Sequence, residues 1–80
     1  MDKFLSFARS YLADADVEPD TIFGEIENEI GQLYVVEYLD NNPDIDFRPF
    51  YDAFDVALGK IGLNDGSECT PENISKFVKA

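Results

Sequence analysis

The side chains best able to do chemistry in this 80-residue chain are its carboxylates, since 17 Asp and Glu stand against 6 Lys and Arg, with no His and one Cys. Closely spaced carboxylates can ligate a hard cation, share a proton in acid–base catalysis, or present negative charge to a basic partner. The first two roles need companions that are missing. Without His the usual base for a Ser or Cys nucleophile is absent, and one Cys cannot supply a zinc site. No glycine-rich phosphate loop occurs, and a chain this short leaves little area for the sugar-sized cleft of paired-carboxylate hydrolysis. The expectation is a non-catalytic protein with no metal and no cofactor.

Two acidic stretches invite a calcium reading. From Asp40, oxygen side chains fall at loop positions 1, 3, 5 and 7 (Asp40, Asn42, Asp44, Asp46), but Ile45 replaces the glycine at position 6 and Tyr51 the glutamate at position 12. From Asp14, the residues Asp14, Asp16, Glu18, Asp20 and Glu25 fit positions 1, 3, 5, 7 and 12, yet Pro19 stands where the loop must turn sharply. Neither stretch is an EF-hand. Small acidic helical acyl carrier proteins attach their arm through an Asp-Ser-Leu motif, and no serine here has that context.

What remains is the charge, which is unevenly placed. Residues 1–13 carry a net +1 and residues 56–80 a net 0, whereas residues 14–55 hold 13 acids against Arg48 alone, a net of -12. Carboxylates four residues apart on a helix, such as Glu25 and Glu29, are separated by about 6 Å along its axis. That is comparable with phosphates spaced about 3.4 Å along the axis of a DNA strand. The expected electrostatic contacts are Asp20, Glu25, Glu27, Glu29 and Glu37, followed by Asp44, Asp52 and Asp55, with Tyr34 and Tyr38 as aromatic anchors.

Four helices must position these groups. Phe4, Phe7, Ala8, Tyr11, Leu12 and Ala15 follow helical spacing and predict a helix over about 2–14. A second helix is expected to begin near Pro19, carrying Ile22, Phe23, Ile26, Ile30 and Leu33. Its continuation over 33–39 is β-branched and aromatic, so a short strand is the alternative there, with helix preferred because no second strand is available to pair with it. After a turn at 41–44, Asp46 can cap a third helix over about 47–61, with Phe47, Phe50, Tyr51, Phe54, Ala57, Leu58 and Ile61 on one face and Gly62 as a left-handed cap. Thr70 and Pro71 open a short last helix through Ile74, Phe77 and Val78, with Cys69 and Ile74 placed as a hydrophobic staple.

The expected fold is therefore all-α, a single domain over 1–80 in which two longer central helices carry an aromatic core and the terminal helices close its sides. An aromatic content of 14% argues against disorder. The solitary Cys69 suits a reducing compartment, and Met1-Asp2-Lys3-Phe4-Leu5 lacks the pattern of a secretory signal, so a cytoplasmic location is expected. An acidic surface repels both nucleic acid and anionic lipid, so neither is expected as a direct partner. The partner expected is a protein with a basic surface, such as a nucleic-acid-binding protein or nuclease.

In size, charge and class, though in no motif, the chain resembles the acidic inhibitors of phages and mobile elements, including anti-CRISPR and anti-restriction proteins, and the immunity proteins that block nuclease toxins. The resemblance implies a nucleic-acid mimic. The competing expectation is a generic acidic accessory subunit or regulator that binds through apolar residues near 34–38, its acidity serving solubility. That apolar excess also allows a homodimer.

Overall fold

Four α-helices and no strand make up the described residues, 2–39 and 44–80, of a computed structural model. They are α1 (Asp2–Asp14), α2 (Phe23–Tyr38), α3 (Arg48–Gly59) and α4 (Pro71–Lys79). Residues 41–43 of the expected turn at 41–44 lie outside the described residues. Most of each expected stripe is buried: Phe4, Ala8 and Leu12 from α1, Phe23, Ile26 and Ile30 from α2, Phe50, Phe54 and Leu58 from α3, and Phe77 from α4; on α2, however, Leu33 is 41% exposed and Tyr34 takes the inward position in its place.

The core is aromatic, in two linked groups. Phe23, Phe54 and Phe77 form a triangle, in which Phe54 and Phe77 stack with ring centroids 4.9 Å apart. Phe4, Tyr34 and Phe50 form the second, with Phe7 and Tyr38 extending it outward along α1 and α2. Offset and edge-on rings of this kind gain energy beyond the area they bury. Helix α1 packs against the other three, most extensively against α4, while Phe23 of α2 and Phe54 of α3 both reach Phe77 of α4. Ala8 on α1 has no exposed surface.

The start of α2 also differs from expectation. Residues 15–22 are not helical, and α2 begins at Phe23, because its first N–H groups are taken by carbonyls from far along the chain. Phe23 N donates to the Ser67 carbonyl at 2.9 Å and Gly24 N to the Asp65 carbonyl at 2.8 Å, while Cys69 N donates to the Thr21 carbonyl at 2.7 Å. This backbone pairing, with its single antiparallel bridge between Ile22 and Glu68, replaces a side-chain cap. Gly24 makes it possible, since a Cβ there would stand 3.2 Å from the Asp65 carbonyl oxygen.

The segment that admitted a strand is helical through Tyr38. Helix α3 is shorter than the expected 47–61. Gly62, at φ 79°, then closes a Schellman motif in which Leu63 N donates to the Leu58 carbonyl (2.9 Å) and Gly62 N to the Gly59 carbonyl (3.3 Å). Asp46 acts one residue earlier than a formal cap: its Oδ1 accepts from the Arg48 backbone N at 3.0 Å, and the carboxylate pairs with the Arg48 guanidinium. Thr70 caps α4 as expected, accepting from Asn73 N at 3.2 Å, with Cys69 buried and Ile74 half-buried beside it.

Candidate partner-binding surface

Helix α2 carries the acids at 25, 27 and 29, and its periodicity sends them to different sides. Residues two apart differ by about 200° around a helix and residues four apart by about 40°. Glu25 and Glu29 therefore share one exposed side, and Glu27 faces the other way, toward α3. There it is only 7% exposed, close to Asp55 and Asp65. Burial first, then a hydrogen bond with Asp55 and the charges of Asp55 and Asp65, push the Glu27 carboxyl from its usual 4.5 up to about 8. Its Oε2 has no hydrogen-bond partner as a carboxylate. Protonation resolves this, since a neutral carboxyl can donate to Asp55. Glu27 is thus largely uncharged at neutral pH and is withdrawn from the set of electrostatic contacts.

Tyr34 is withdrawn too. It is 7% exposed, with its ring 5.3 Å from Phe4 and 5.6 Å from Phe50, so it holds the core together. Tyr38 is 45% exposed and available, with the Lys3 ammonium 4.7 Å from its ring centroid. The sequence did contain the signal for both buried residues. Positions 23, 26, 27, 30 and 34 form one i, i+3, i+4 stripe, and Glu27 occupies a core position on it.

The other expected contacts are exposed: Asp20, Glu25, Glu29 and Glu37 with α2, and Asp44, Asp52 and Asp55 with α3. They do not form one face. Asp52 lies close enough to Arg48 to favour its charge, and Asp55 is engaged by Glu27. Glu29 instead stands beside α1, close to Tyr11; burial, then this carboxylate, push the Tyr11 ionisation upward.

Beside Glu29 the structure adds acids that were not among the expected contacts. Asp14, the last residue of α1, and Asp16 and Glu18 of the non-helical link alternate with Ala15 and Val17, acids exposed and apolar residues half-buried. This period of two is the mark of an extended segment, and it was readable in the sequence. Together with Phe7, Tyr11, Thr21 and Ile26 they line an open groove of about 640 Å³ between α1, the link and α2.

The chain's own cations are directed elsewhere. Arg9 Nε donates to the Phe77 carbonyl at 3.3 Å with its guanidinium over the Phe77 ring, Arg48 pairs with Asp46, and Lys76 with Glu72 at 3.7 Å. None of the six Lys and Arg side chains forms an ion pair with Asp14, Asp16, Glu18, Asp20, Glu25, Glu29 or Glu37.

Among the described residues, no three carboxylate or thiol side chains converge as a metal-binding group, and no helix is long and apolar enough to cross a membrane. Cys69 has no exposed surface, and burial, then the charge of Glu25, push its thiol up to about 11. It is an inert core residue. No protein-family model, curated protein or solved structure matches the chain.

Proposed function

We propose that this chain is a non-catalytic inhibitor that occupies the basic, nucleic-acid-binding surface of a target protein, its carboxylates standing in for phosphates. The observation that carries this reading is the set of exposed acids on α2 and the preceding link that, among the described residues, form no ion pair with a Lys or Arg. Self-repulsion among them costs stability in the free protein. A partner bearing Lys and Arg relieves that repulsion and gains charge-assisted hydrogen bonds, which favours fast association and selects against acidic surfaces.

Replacing Glu25, Glu29 and Glu37 by Gln tests the reading, because all three are exposed and none belongs to the core. The tagged wild type, used to capture proteins from a cell lysate at low salt, is expected to retain nucleic-acid-binding proteins, and the triple variant to lose them. Raising the salt should release them. Retention of the same proteins by the variant would contradict the proposal.

One observation favours a second reading. Leu33 and Val36, three residues apart on α2, are 41% and 61% exposed, an apolar excess on that helix. A generic accessory module binding there would be salt-insensitive and would lose its partner on Leu33→Ser with Val36→Ser.

A further inference from the structure

The groove between α1, the link and α2 is built differently from the rest of the acidic surface. Its floor is apolar, with Ile26 buried and Phe7, Tyr11 and Val17 half-buried, and its rim carries Asp14, Asp16, Glu18 and Glu29. Its volume falls within the roughly 300–1,000 Å³ typical of ligand-binding clefts. Solvated acids alone need no such floor. Arg9, the nearest basic residue on α1, is committed to the Phe77 carbonyl and ring, so the charge of the rim is not answered from within.

We propose that this groove takes a basic amphipathic segment of the partner protein, with Lys or Arg heads on the acidic rim and apolar side chains on the floor. The inference rests on the proposed function and assigns a face and a chemistry to it. Lys and Arg suit the site because their methylene stems lie along apolar surface while their heads stay at its edge. Nucleic acid and acidic peptides are repelled by the rim. A second copy of the chain, at a net charge of -11, is a poor occupant. Tyr11 and Glu29 stand as neighbours along the groove wall.

The test uses a fluorescein-labelled synthetic helix with Lys and Arg on one face and Leu on the other, and an analogue with every Lys and Arg changed to Gln. Fluorescence anisotropy measures binding to the wild type, to the groove variant Asp14→Asn/Asp16→Asn/Glu18→Gln, and to Glu25→Gln/Glu37→Gln. Amide chemical-shift mapping then locates the peptide. The expected result is binding of the basic helix alone, about tenfold weaker for the groove variant and little changed for the other, with shifts at Phe7, Tyr11, Val17 and Ile26. Binding that ignores the groove variant but is lost in Glu25→Gln/Glu37→Gln overturns the groove while leaving the charged-surface reading intact. Failure to bind the basic helix, or equal binding of its Gln analogue, overturns both.

Discussion

Glu27 on α2 and Asp55 on α3 face each other as two carboxyl groups, one buried and the other exposed, joined by a hydrogen bond that requires one proton between them. Asp65 from the α3–α4 loop adds a third negative charge, and Tyr51 on α3 also senses Glu27. The folded protein therefore holds a proton on Glu27 that the unfolded chain releases near 4.5. Because the native state binds more protons between pH 4.5 and about 8, stability from this group is fully present below 4.5 and lost as pH rises through about 8.

Glu27→Gln keeps the shape and removes the titration. Urea unfolding across pH should show the variant close to wild type at pH 4 and more stable above pH 8, by on the order of a few kcal/mol. A difference between the two that does not change with pH would contradict the shared proton.

Phe54 has no exposed surface and touches both Phe23 and Phe77. Phe54→Ala should cost about 3–5 kcal/mol, a large part of the stability of so small a domain. Phe54→Leu should cost much less. Thermal unfolding followed by circular dichroism would show the order.

Gly59 and Gly62 both end α3, and a Cβ at either meets nothing within 4 Å. Only Gly62 has positive φ, at 79°. Gly62→Ala should therefore destabilise by about 1–2 kcal/mol. Gly59→Ala should be neutral or stabilise by up to about 1 kcal/mol. Chemical denaturation of the two variants reads this contrast directly.

Helix content and core were legible because local periodicity controls them. Phe4, Leu12, Phe50 and Phe54 had no other stable place than inside, and Thr70-Pro71 and Gly62 marked their helix ends by local chemistry alone. The start of α2 was not legible, since it depends on carbonyls of Asp65 and Ser67, more than 40 residues away in sequence. For the acidic surface, counting charges along the chain treated Glu25, Glu27 and Glu29 alike. The helix separates them, and the low dielectric around Glu27 neutralises it. Asp14, Asp16 and Glu18 fit calcium-loop spacing without its turn, and their alternation with Ala15 and Val17 reflects an extended link that walls a groove.

On the proposed reading, the exposed acids occupy a surface made for nucleic acid. The most direct measurement is competition: the partner captured at low salt is titrated with duplex DNA and with RNA while its complex with this protein is followed. Binding should be mutually exclusive, with the complex displaced by at least one of the two nucleic acids, and with affinity that falls steeply as salt rises. A ternary complex that holds partner, protein and nucleic acid together, at an affinity indifferent to salt, would contradict it.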